Sequence, residues 1–195
     1  MLEFEPYTLD LSDVIRLSDD DLFKLCVANP DLRIERNAAG QLEITLPTGN
    51  LSDARAMKIA IELGIWNRAH GEPGLVLGGT AGFFLPNRAM RVPDAAWISL
   101  DTWKAISAAE LEKFVHLVPE FVVEVRSASD RLPALESKMK EWIQNGCRLG
   151  WMIDPVKKEA GIFRADGSIE TVGFESVLSG EDILPGFEFD LKTLP

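Results

Sequence analysis

Asp94 follows Pro93 in the run VPDAAWIS, and Glu124 stands inside EFVVEV thirty positions later. A proline fixes the chain and cannot donate to a ladder, so Pro93 marks the start of a strand continuing through Ala95, Ala96, Trp97 and Ile98. If the two strands are neighbours, the carboxylates of Asp94 and Glu124 converge on one side of the sheet. Paired acidic oxygens suit a hard divalent ion such as Mg²⁺, which keeps several waters and uses few protein carboxylates. Such an ion orients and deprotonates a water and stabilises charge developing on a phosphate. A nearby cation then holds the phosphate or the nucleophilic water. Residues i and i+2 of a strand share a face, which puts Arg126 beside Glu124. Lys138 offers a second cation on the helix that follows. The same residues admit a plainer reading, in which Glu124 and Arg126 form a structural ion pair or line one wet face of a strand.

The elements that would position these groups can be read along the chain. Ser18 is placed to cap DDDLFKLCVAN, whose three aspartates load the first turn and whose end is followed by Pro30. DLRIER and QLEITL flank the turn-like NAAG and form a hairpin. SDARAMKIAIELGIWNRAH is helical, with a broad apolar face that includes Ile59, Leu63 and Trp66. Residues 71–99 give consecutive strands, and LDTWKAIS and AAELEKF give short helices. The strand EFVVEV leads into a helix from about Pro133 to Asn145, closed by Gly146, then a strand LGWMID that stops at Pro155. Ser127, Ser129 and Asp130 between strand and helix are read as caps, with contact to substrate as the alternative. EAGIFRADGSIETVGF is a hairpin with Asp166-Gly167 at its tip, and the tail ends in a short strand. Trp97 is left on either face of its strand. The fold class is α/β, a mixed sheet flanked by helices with extra N-terminal and C-terminal hairpins. It forms a single domain over 1–195, with an N-terminal helical segment at 1–30 and a core at 31–195.

Composition narrows the partners. The 195 residues are 46% hydrophobic and 26% charged, which suits a globular core rather than disorder. A formal charge of −11 argues against a general nucleic-acid coat, although a locally basic groove beside an acidic centre stays open. No apolar stretch approaches the ~18 residues of a membrane span. The start MLEFEPYTLDLSD shows no secretory signal. Cys26 and Cys147 lack C-x-x-C spacing, so a reduced, cytoplasmic setting is expected. His70 and His116 are isolated and carry no role.

The pattern PD…E-x-(cation) resembles the PD-(D/E)XK nuclease superfamily, and more closely the Uma-type family of restriction-endonuclease-like bacterial proteins. The blocks GQLEITLPTG, TAGFFLPNRAMRVPDAAWISLDTW, PEFVVEVRSASDRLPALESKMKEWIQNGCRLGWMIDP and LSGEDILPGFEFDL carry the resemblance over most of the chain. It implies a restriction-endonuclease-like fold and a Mg²⁺-dependent endonuclease acting on DNA, with Mn²⁺ as a substitute and a homodimer as the assembly. It makes Asp94 and Glu124 metal ligands, with Val125 lending its carbonyl. Arg126 stands where the superfamily has its lysine. Arginine clamps phosphate but makes a poor general base, and Lys138 fits a lysine moved to the following helix. Gln41 stands at a glutamate of the family pattern, where it would reach a metal-bound water, and Glu43 falls where an apolar residue is usual. These departures support a second reading, a catalytically inactive descendant that binds nucleic acid or protein.

Overall fold

The computed structural model describes residues 7–11, 13–45, 49–128 and 130–195. The chain opens with β1 (Tyr7–Leu9), α1 (Asp19–Ala28), β2 (Arg33–Arg36), β3 (Leu42–Thr45) and the long α2 (Asn50–Ala69). There follow β4 (Gly74–Gly78), β5 (Phe83–Phe84), β6 (Met90–Arg91), β7 (Ala95–Ser99), α3 (Leu100–Lys104) and α4 (Ala108–Leu111). The last part holds β8 (Phe121–Val125), α5 (Leu132–Gln144), β9 (Leu149–Asp154), β10 (Glu159–Arg164), β11 (Ile169–Gly173), β12 (Val177–Ser179) and β13 (Glu188–Asp190).

Six strands build the main sheet in the order β11-β10-β9-β8-β7-β4. Its β8 and β9 are parallel and joined through α5, while the other neighbours are antiparallel, so the sheet is mixed. Alternation along β8 divides the core. Phe121 and Val123 pack with Ile59, Leu63 and Trp66 of α2 and with Phe187 and Phe189 from the C-terminal part. Val122 packs on the opposite face with Met139 and Trp142 of α5. Helices therefore flank the sheet on both sides, as the sequence predicts.

Several expectations change in detail. The N-terminal hairpin is not an appendage. Through Arg36 opposite Met90 it joins a second sheet, ordered β1-β3-β2-β6-β5, packed on Leu22 of α1. Ser18 does cap α1, in a reciprocal box with Asp21. By contrast, α5 begins after Arg131 with no side-chain cap bond. Asp130 instead accepts the Ser127 N–H at 2.7 Å, tightening the turn rather than the helix. Ser129 lies outside the described residues. Trp97 lies on the α2 face, where its Nε1 donates to Asn67 Oδ1 at 2.8 Å and its ring covers Gly74. A Cβ at Gly74 would collide with that ring and with the Ile98 carbonyl, so glycine is required there.

Candidate active site

Asp94 precedes β7, at the end of the sheet where β8 finishes. Its N–H donates to the Val123 carbonyl at 3.0 Å, and its Oδ2 accepts the Val125 N–H at 2.7 Å. The backbone of β8 thus fixes the aspartate. Glu124 projects from β8 onto the α5 face and is buried. Lys138 and Trp142 are four residues apart, hence on one side of α5. Both reach the same oxygen of Glu124. The Trp142 Nε1 donates at 3.0 Å, and the Lys138 Nζ lies 2.8 Å away.

The second sheet closes this group from above. Glu35 on β2 accepts from Lys138 at 2.8 Å and from the Val92 N–H at 2.9 Å on one oxygen, and from Arg91 at 3.1 Å on the other. Arg91 also binds Glu43 and Glu141. Arg33 pairs with Asp94 Oδ1 at 3.0 Å and donates to the Val92 carbonyl. Around these residues lies a cleft of about 730 Å³, whose mouth carries Arg131 and Lys140.

Of the residues singled out from sequence, the structure brings together Asp94, Glu124, Val125 and Lys138. It does not bring Arg126 to them. The β8 ladder ends at Val125, and beyond it the guanidinium turns to Asp154 at 3.0 Å and to the Asp130 carbonyl at 3.1 Å. Gln41 is also elsewhere, beside the hairpin turn, held by Asn37 and Asp10. The position that enters the cleft from this hairpin is Glu35. It went unnoticed in the sequence together with its partners Arg33 and Arg91.

Burial and charge set the protonation states. Burial pushes Glu124 up to about 7; Lys138 and Arg33 oppose this, while Asp94 and Glu35 add to it. Burial would lift Glu35 as well, but Lys138, Arg91 and Arg33 overcome it and hold its pKa down at about 2. For Lys138, burial favours the neutral amine, yet Glu124 and Glu35 outweigh it and raise the pKa, so the ammonium stays charged. As placed, Lys138 is a fixed positive charge and not a base.

Glu35 leads to a pH prediction. Its folded pKa lies below the ordinary 4.5, so the stability it contributes is present above that value and is lost as pH falls toward 2. Denaturant unfolding of wild type should weaken across this window, and Glu35→Gln should show a shallower decline from a lower starting stability. Identical pH profiles for the two proteins would refute the assignment.

The donor set accommodates a hard cation. The linked cluster sets three cations, Arg33, Arg91 and Lys138, against five carboxylates, Glu35, Glu43, Asp94, Glu124 and Glu141. With Glu124 ionised, the two-charge excess matches one divalent ion. Glu124 Oε2 makes no hydrogen bond among the described residues, whereas Asp94 Oδ1 is shared with Arg33. No group of three or more His, Cys, Asp or Glu side chains among the described residues forms a metal cage. Two carboxylates, with water in the remaining positions, suit Mg²⁺ or Mn²⁺ and not a closed zinc site.

Comparison with known proteins gives the family and the fold. Residues 19–192 match the family model Uma2, described as "Putative restriction endonuclease". A crystal structure from Anabaena variabilis ATCC 29413, described as a putative nuclease belonging to DUF820, superposes with a TM-score of 0.74. That match covers 91% of this chain and 97% of the other at 14% identity, a likeness of fold. A cryoEM structure of a DrdV–DNA complex matches 63% of this chain and 11% of its own at 13% identity and a TM-score of 0.37, too slight to bear on the fold. No curated protein matches the sequence.

Proposed function

The chain belongs to the Uma2 family, and on that premise we propose that it is a divalent-metal-dependent endonuclease hydrolysing phosphodiester bonds in DNA. The observation that carries the reading is the meeting of Asp94, Glu124 and Lys138 in one cleft where β7 begins and β8 ends. Asp94 and Glu124 would hold Mg²⁺ or Mn²⁺, with the Val125 carbonyl as a further oxygen. Bound there, the ion supplies Lewis acidity and a water of lowered pKa. Arg33 and Lys138 present fixed positive charge to a phosphate beside Asp94. We assign the phosphate contact to them in place of Arg126, which Asp154 holds away. Arg131 and Lys140 at the mouth give the entering backbone a cationic edge despite the acidic whole.

The test is cleavage of labelled single- and double-stranded DNA with Mg²⁺ or Mn²⁺, beside a chelated control and Asp94→Ala. Cutting that requires metal and disappears in the variant is the expected result. One observation favours the rival reading of an inactive binding descendant. Arg33 already neutralises Asp94, so the site is electrically satisfied there without an ion. If calorimetry shows that neither Mg²⁺ nor Mn²⁺ binds and no substrate is cut, that rival replaces the nuclease.

No helix among the described residues is long and apolar enough to cross a membrane. We take a homodimer as the assembly. Ile61 and Ile65 stand exposed on α2, and an antiparallel second copy would pair them across the axis. Sedimentation should give a dimer for wild type and a monomer for Ile61→Lys; a monomeric wild type would end this assignment.

A further inference from the structure

A second hollow, of about 600 Å³, lies on the other side of Asp94 from the cleft. The two share Arg33, Asp94 and Val125, so the Arg33–Asp94 pair is the partition between them. Their characters differ. The cleft is crowded with charge, whereas this hollow sets the apolar walls of Phe23, Phe114, Met57 and Ala60 beside two carboxylates of its own, Asp31 and Asp53. Phe23 and Phe114 meet edge to face, with ring centroids 5.1 Å apart. Ser52 and Thr80 stand among the apolar groups, and no hydrogen bond ties either side chain among the described residues. Gly78 and Gly79 line the same hollow and bring backbone without side-chain bulk.

We propose that this hollow is a base subsite, which takes one unstacked nucleobase of the strand whose phosphate lies at Asp94 and Glu124. The proposal rests on the nuclease reading and names the form of its substrate. Three features select a nucleobase. The hollow adjoins the phosphate centre across the Arg33–Asp94 pair, so a nucleotide flanking the scissile bond has only that pair to pass. Its volume falls in the range that suits small-molecule sites, which combine apolar walls with a few polar groups. Aromatic and apolar walls accept the face of any base, while hydroxyls meet its edge without demanding one sequence. A base paired inside a duplex cannot enter, because it must first leave the stack. The enzyme therefore prefers single-stranded, mismatched or frayed DNA over a fully paired duplex.

The experiment compares wild type with Ala60→Phe and Met57→Trp, which fill the hollow from α2 without touching Asp94, Glu124 or Lys138. Met57 is more than half exposed, so its replacement tests the hollow even if Ala60→Phe fails to fold. Fluorescence anisotropy reports binding of a labelled single-stranded 12-mer, the same strand in a matched duplex, and the duplex with one mismatch. Wild type should bind the single strand and the mismatch about tenfold more tightly than the matched duplex, and filling should erase that preference. Equal affinities of wild type for all three probes, absence of binding, or a preference that survives filling would each overturn the subsite. Cleavage read on the same samples separates the two proposals. A wild type that cuts DNA with its preference unchanged by filling keeps the nuclease and loses the subsite. A wild type that cuts nothing, yet loses single-strand binding on filling, keeps the subsite and loses the nuclease.

Discussion

Glu124→Gln is expected to lower metal-dependent cleavage by about 10³-fold or more, equivalent to about 4 kcal/mol of transition-state stabilisation. The same substitution should leave the fold as stable as wild type or slightly more so. The activity loss follows from charge. Glutamine keeps the shape and still offers Trp142 an acceptor, but the cluster then holds four carboxylates against three cations and no longer matches a divalent ion. Stability follows from the same charge with the opposite sign. Glu124 is buried beside Asp94 and Glu35, and burial makes its ionised form costly. Removing that charge relieves a cost that the folded protein bears for function. Parallel measurements of cleavage rate, Mn²⁺ affinity and thermal midpoint check both halves. Retained cleavage would remove Glu124 from the centre. A collapse of the thermal midpoint would instead make it a structural partner of Lys138.

The strands and helices that position the site were legible because their signals are local. Pro93 starts β7, Gly146 ends α5, and the apolar run of β8 announces a buried strand. Asp94, Glu124 and Lys138 followed from those elements. Helix periodicity sets the face Lys138 occupies but cannot say which neighbour that face meets. Arg126 exposes the limit of strand periodicity. Alternation gives a face and not a partner: Glu124 pairs with Met152 of β9, and two residues further on Asp154 of the same strand takes the guanidinium.

The roof of the site was harder to read, although one signal was present. In the hairpin closed by NAAG, Glu35 stands directly opposite Glu43. Like charges across a strand pair are unfavourable unless a cation sits between them. That pairing demands an arginine or lysine from elsewhere, and the structure supplies Arg91. No local pattern identifies which residue answers the demand, since Arg91 arrives from a strand 56 positions away from Glu35. Arg33 is hidden for the same reason, meeting Asp94 across 61 positions. The glutamate at position 43, a departure from the family pattern, thus has a partner in this chain.

Arg91→Met should be the most destabilising change at the site, costing about 3–5 kcal/mol. Its side chain is nearly buried and binds Glu35, Glu43 and Glu141, which come from β2, β3 and α5. Arg91 therefore ties both strands of the hairpin to the helix that carries Lys138. Without it, Glu35 keeps Lys138, but three carboxylates face one another around a vacated cation. The loss should fall on cleavage too, since the hairpin presents Glu35 to Lys138. A second substitution distinguishes lost charge from lost packing. Glu43→Leu removes one of the stranded carboxylates, so the double variant should recover about 1–3 kcal/mol relative to the sum of the two single changes. Denaturant unfolding of the four proteins supplies the cycle. Additive losses would mean that Arg91 acts through its methylene stem and its fit beneath the hairpin, and the charge network would then have no part in holding the roof over Asp94 and Glu124.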